Sequence, residues 1–218
     1  MNKPTTGRPE TYRTVRNFII FLTAVGLAGG AAFLFFIKGL YLLPEKVCAG
    51  AAQRDLAIQT LPRARAADEW SDQRGTGRNF SFACRISTSG NSILSGQVDL
   101  RNSSKASWVD FYGDAASRQV IRISEGDLGA LAQLDGDSVS ASVYLPCVPT
   151  GIEEGDESKP YALVADASVT GKSRATEAEL RQALTDFAYQ LTKHAYKLAD
   201  CKTPRDFPEK LPRYQNNR

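Results

Sequence analysis

The chain has a single histidine, His194. A Ser–His or Cys–His nucleophilic machine would have to use it. It lies three residues after Leu191 and four before Leu198, on the apolar stripe of the last helical pattern, where a histidine packed at the edge of a core is expected. No CxxC pair occurs, which argues against a zinc ribbon or a thioredoxin-type site. With one His, a Cys/His metal centre has almost no ligands, so no metal and no cofactor is expected. No segment repeats at a fixed period, and a surplus of basic residues is missing from most of the chain. Residues 1–17 carry Lys3, Arg8, Arg13 and Arg16 against Glu10, a balance of +3 that equals the net charge of the whole chain. The remainder balances to zero, which sets nucleic-acid binding aside, because such proteins need a basic domain surface.

Charge is absent altogether from Phe18 to Ile37, 20 residues that also contain no proline. As a helix this run would be about 30 Å long, the thickness of the hydrocarbon core. It exceeds a secretory h-region and ends in Phe-Leu-Phe-Phe-Ile before Lys38 rather than in a small-x-small cleavage site. Cys48 stands ten residues past Lys38 behind "PEKV", which does not fit a lipoprotein signal. The pattern predicts an uncleaved transmembrane helix in the lipid bilayer. The cations before it place the N-terminus in the cytoplasm and residues 39–218 outside the cell membrane. Gly26 and Gly30 form a GxxxG pair, extended by Ala24, Ala28 and Ala32, the kind of small-residue face on which two membrane helices self-associate.

The four cysteines, Cys48, Cys84, Cys147 and Cys201, all follow this run. An even number confined to the outer portion predicts disulfides in an oxidising compartment. Four cysteines allow three pairings; the tendency of sequential elements to be neighbours favours Cys48–Cys84 with Cys147–Cys201.

Periodicity outlines the domain between them. Pro44 suits a first helical turn, predicting a helix over 45–61 that stops before Pro62. Residues 63–78 read as a loop, with Trp70 pinning it to the body. "FSFACRIS" alternates and predicts a strand at 79–87; a second follows at 93–101, joined by the turn residues "STSGNS". Strands are predicted at 107–112 and 118–124. "EGDLGALAQL" suggests a helical turn, and "VSASVYLPC" a strand at 138–147 with serines on its second face. After the polar loop 149–160 comes a strand at 161–168. Thr176 and Glu179 fit a capping box, and Leu180, Leu184, Phe187, Leu191, Ala195 and Leu198 recur at helical spacing. Three prolines and a balance of +3 make 202–218 read as a disordered tail. The expected organisation is a basic cytoplasmic segment (1–17), a transmembrane helix (18–37), an extracytoplasmic α+β domain (45–201) with a mostly antiparallel sheet flanked by N- and C-terminal helices, and the tail.

Several motifs bear on chemistry. "TGKS" at 170–173 resembles the end of a phosphate-binding loop, but Asp166 stands where the pattern needs glycine, so a turn is expected. Asp135 and Asp137, and Glu153, Glu154, Asp156 and Glu157, are carboxylate clusters that could serve glycoside hydrolysis or bind Ca²⁺; solvated surface is the reading preferred. Asn79 and Asn102 begin N-glycosylation acceptor triplets.

"EKVCAG", "FACRI", "VYLPCVP" and "LRQALTDFAYQLTKHAYKLADC", behind a basic segment and one apolar run, resemble the ectodomains of single-pass membrane proteins of actinobacteria such as streptomycetes. The resemblance covers about 45–201. It implies a cell-envelope location and carries no chemistry. The function expected is a membrane-anchored binding or accessory module that is not an enzyme. The alternatives are a self-associating structural or assembly protein of the envelope, with an envelope protein or a second copy as partner, or an envelope hydrolase using Asp135 or Asp137.

Overall fold

A computed structural model describes residues 10–37, 39–113, 119–135, 138–150 and 159–214. It begins with helix α1 (Glu10–Ile37, 28 residues). The described side chains of α1 cover residues 15–31 and are all exposed. Among the described residues no helix is long and apolar enough to cross a membrane. The described part of α1 does not carry the 18–37 span expected from the sequence.

The domain starts at once. Gly39 donates its N–H to Ala64 O at 2.9 Å, and a Cβ on it would lie 2.5 Å from that oxygen and 2.6 Å from Ala66 N. Only glycine lets the chain enter here. A 3₁₀ turn at Leu40–Leu42 follows, with Leu40 and Leu43 buried. Strands β1 (Lys46–Val47) and β2 (Ala52–Gln53) then form a small antiparallel hairpin. The predicted helix over 45–61 shrinks to α2 (Arg54–Thr60). The reason is backbone geometry: Cys48, Ala49 and Gly50 have φ of 58°, 56° and 85°, left-handed values that no α-helix contains. Cys48 is thus in a tight turn, not a helix. The Pro62 stop is where expected, since Leu61 is extended.

The body is one seven-stranded antiparallel sheet. Its strands are β3 (Ala67–Arg74), β4 (Ser81–Thr88), β5 (Ile93–Asn102), β6 (Gln119–Glu125), β7 (Leu128–Asp135), β8 (Ser138–Pro146) and β9 (Tyr161–Thr170). They lie in the order β3-β4-β5-β9-β8-β7-β6. Two meanders, β3-β4-β5 and β6-β7-β8-β9, are thereby stitched together by the β5–β9 ladder from Ile93↔Thr170 to Asn102↔Tyr161.

Three assignments from periodicity change. Residues 67–74 form edge strand β3 instead of a loop, and Trp70 stands half exposed rather than pinning the segment. The charges that made it read as a loop are those an edge strand carries against unwanted pairing. The predicted strand 107–112 is helix α3 (Lys105–Gly113); the Ser104 hydroxyl accepts from Ser107 N–H at 3.1 Å, a start signal that outweighs the strand preference of Trp, Val and Phe. The predicted helical turn in "EGDLGALAQL" is β7, entered through Gly126 at φ 61°. Its Ala and Leu residues are buried on both faces, so no alternation marks it.

Helix α4 (Glu177–Leu198) covers one face of the sheet. Its capping box is present: Thr176 N–H donates to Glu179 Oε2 at 2.9 Å, and Glu179 N–H to Thr176 Oγ1 at 3.5 Å. Leu180, Leu184, Phe187, Leu191 and Ala195 are buried, while Leu198 emerges at the helix end. Gly96 of β5 makes room for this packing, since a Cβ there would run into Leu191 Cδ1 and lie 2.9 Å from Phe187 Cε1.

The disulfides are Cys48–Cys84 and Cys147–Cys201, with Cα atoms 5.5 and 5.2 Å apart. Residues 202–214, expected as a disordered tail, run back over α4. Leu211 and Tyr214 are buried there. The Tyr189 hydroxyl donates to Pro208 O at 2.7 Å, Tyr214 and Thr185 share a hydrogen bond of 2.8 Å, and Arg205 grips the Asp127 carboxylate with two nitrogens at 2.5 Å. Burial pushes the Tyr214 phenol up to about 12, so it remains a neutral hydrogen-bonding group. Composition alone hides this strap because its few apolar residues each find a prepared contact on α4.

Candidate functional site: the open face of the sheet

Opposite α4, the sheet has a second face that is only partly covered. Helix α3 lies over the β7–β8–β9 part, where Trp108 packs on Leu131, Tyr144 and Val164 and its indole N–H donates to Ser142 Oγ at 3.0 Å. Gly129 admits the ring, since a Cβ there would lie 2.8 Å from Trp108 Cζ3. Beside α3 the face opens as a groove of about 460 Å³.

Strand register builds the groove floor. Trp70 pairs across to Arg85, Arg85 to Ser95, Ser95 to Ser168, Ser168 to Ser140, and Ser140 to Gln133. Cross-strand partners share a face, so one residue from each of six adjacent strands forms a polar row that ends in an exposed indole. Ser95 and Ser168 hydroxyls lie 3.3 Å apart, and the Ser140 hydroxyl donates to Gln133 Oε1 at 3.3 Å. Gln133 in turn donates to Tyr112 O at 2.6 Å, tying α3 to the floor.

The charges in and beside this row balance only as a set, exposed Arg85 together with Arg101 against Asp99 and Asp166. Tyr112 Oη donates to Asp166 Oδ1 at 2.5 Å. The Arg101 guanidinium lies between Asp99 at 3.1 Å and Asp166 at 3.5 Å, and Gln97 donates to Asp99 at 2.9 Å. Burial and the neighbouring Asp166 charge push the Tyr112 phenol far above its ordinary value, so it is a fixed donor. Burial works against ionisation of Asp99, but hydrogen bonds from Gln97, Ser81 and Arg101 outweigh it and hold the carboxyl below its usual value. What the groove offers is a set of hydroxyls and amides that both donate and accept, beside one aromatic face.

The other sequence candidates fall elsewhere. All four cysteines are in disulfides, so none is a nucleophile for His194, which is half-buried with its ring 5.1 Å from that of Phe82. "TGKS" is a turn: Gly171 has φ 86°, Lys172 N–H donates to Ser92 Oγ at 3.1 Å and Ser173 Oγ to Thr60 O at 2.8 Å. Asp166, in the position that spoiled the phosphate-loop pattern, faces the groove. Asp137 and the 153–157 cluster lie outside the described residues, as does the side chain of Asp135. Among the described residues no group of three or more His, Cys, Asp or Glu could hold a metal ion. Around Gly26 and Gly30 no atom lies within 4 Å of an added Cβ. The polar row escaped sequence reading; its one visible trace is the serines alternating through "VSASVYLPC", since which strands bring their own serines alongside depends on register.

No protein-family model matches the chain, no curated protein matches it, and no solved structure matches it.

Proposed function

We propose that the chain is a single-pass, membrane-anchored binding module whose α+β domain lies outside the cytoplasmic membrane, and that its ligand is a neutral, hydroxyl-rich molecule held in the sheet-face groove without chemical conversion. The observation that carries the ligand class is the polar row with its compensated charges. A strongly charged ligand would find no net opposite charge there, whereas sugar-like hydroxyls would find matching donors and acceptors and a half-exposed indole on which to stack. Two features support the location. The described side chains of α1 are exposed on every side, including Phe18, Ile19, Phe21 and Leu27, and an all-round apolar helix needs an apolar surrounding. Two disulfides suit an oxidising compartment.

The test is titration of the full chain in neutral detergent with soluble neutral oligosaccharides, read by indole fluorescence. Saturable binding is expected, weakened at least about tenfold, or about 1.4 kcal/mol, by Trp70→Ala and by Asp166→Ala. A flat response to every oligosaccharide, or equal binding by both variants, removes the groove reading.

The GxxxG pair of Gly26 and Gly30 supports a second reading, self-association through α1. Gly26→Leu with Gly30→Leu is then expected to convert a dimer to a monomer in crosslinking of native membranes. An unchanged oligomer ends that reading.

A further inference from the structure

A separate depression of about 380 Å³ lies between α4 and the β1–β2 hairpin. Lys46 comes from the hairpin; Lys193, His194 and Lys197 come from α4. Three ammonium groups therefore line it against one carboxylate, that of Glu209. The cluster is not neutralised. Burial and then repulsion from Lys197 push the Lys193 amine down, with Glu209 opposing, and the same two causes push His194 down. Arg205 with Asp127 and Arg101 with Asp99, by contrast, each have an acidic partner. Here like charges are held together.

The hairpin that supplies the facing wall turns through constrained backbone next to it. Cys48 and Ala49 keep positive φ without being glycine, a conformation that costs energy and persists only where the surroundings enforce it. The enforcing contacts are the Cys48–Cys84 disulfide and the hydrogen bond from Cys48 N–H to the Glu69 carboxylate. Gln190 Oε1 accepts from Gln53 N–H at 2.8 Å, fixing the hairpin to α4. Gly50, in the same wall, has open space where a Cβ would project. The hairpin thus holds Lys46 at the same depression as Lys193 and Lys197.

We propose that this depression binds a multiply charged oxyanion of the phosphate class, with Lys46, Lys193 and Lys197 as its counter-ions. The ammonium groups act as compact point charges on a phosphoryl group, and the anion relieves their mutual repulsion. The source is either a soluble phosphate compound or the headgroup of an anionic lipid. The site is distinct from the sheet-face groove, and its test does not depend on that groove.

The probe is inorganic pyrophosphate, titrated into the full chain in neutral detergent by calorimetry. Saturable binding is expected in the wild type. Lys46→Gln/Lys193→Gln/Lys197→Gln should weaken it at least tenfold, while Lys172→Gln, outside the depression, should leave it unchanged. Amine labelling of the wild type gives a second readout that needs no variant: pyrophosphate should protect Lys193 and Lys197 but not Lys172. Bilayer discs separate the sources. If phosphatidylglycerol discs suppress pyrophosphate binding and phosphatidylcholine discs do not, the anion is a lipid headgroup; if neither does, it is a soluble phosphate. Absence of saturable binding, or a triple-glutamine variant that binds like the wild type, overturns the proposal.

Discussion

Replacing Cys147 and Cys201 together with alanine is expected to lower the unfolding free energy by about 4 kcal/mol. The bridge closes a loop with a sequence separation of 54, and the loop-entropy relation gives that magnitude for such a length. It also anchors two structures at once. Beside it, Pro149 and Cys201 form an isolated bridge, Lys202 N–H donates to Val148 O at 2.8 Å, and Thr150 N–H to Asp200 O at 3.0 Å. Asp200 turns the chain out of α4 at φ 50°. Without the bridge, the end of β8 and the start of the 202–214 strap are no longer held to each other. Cys48→Ala/Cys84→Ala, with a separation of 36, should cost a similar amount, about 4 kcal/mol. Urea unfolding of each variant, with and without reductant, measures both. Reductant should destabilise the wild type and leave a four-alanine variant unaffected. A loss below about 1 kcal/mol for either pair would contradict the view that the bridges restrain the unfolded chain.

Phe187→Ala should be as severe, about 3–5 kcal/mol, because the ring is fully buried between α4 and the sheet and its loss leaves a cavity. Gly96→Ala acts in the opposite sense. Its added methyl collides with Leu191 and with the Phe187 ring, an overpacking that should cost about 1–3 kcal/mol. The two sites touch, so their effects should not add. In the double variant the new methyl occupies space vacated by the ring, and the combined loss should fall short of the sum by at least about 0.5 kcal/mol. Strict additivity in thermal or urea unfolding would mean that α4 does not sit on β5 as described.

How much of this was legible before folding differs from element to element. Helix α4 was readable to within a residue at its start because cap and stripe agree. Strands β4 and β5 were readable because each alternates against one covered face; β8 shows alternation only through its serines, and β9 is an apolar run, each with five consecutive buried residues. Strand β7 was not readable, because α3 covers its second face and removes the alternation. The 45–61 segment misled because Pro44 and a run of small residues imitate a helix, while the left-handed turn at 48–50 is imposed by a bridge to a residue 36 positions away. The candidate site was the least legible part. Serines at 95, 140 and 168 look like solvated surface one strand at a time, and they become neighbours only when the β5–β9 and β8–β9 registers are set.

The close fit of Gly39 against the 64–66 backbone has a consequence for reach. A single residue, Lys38, separates the end of α1 from the first buried contact of the domain. On the proposed anchored topology there is no leash: the ectodomain neither swings out nor searches a wide volume, and its partners come to a fixed height just above the lipid. On that topology, a long Gly/Ser spacer after Lys38 would turn a mounted domain into a tethered one and dilute it against anything confined to the bilayer surface.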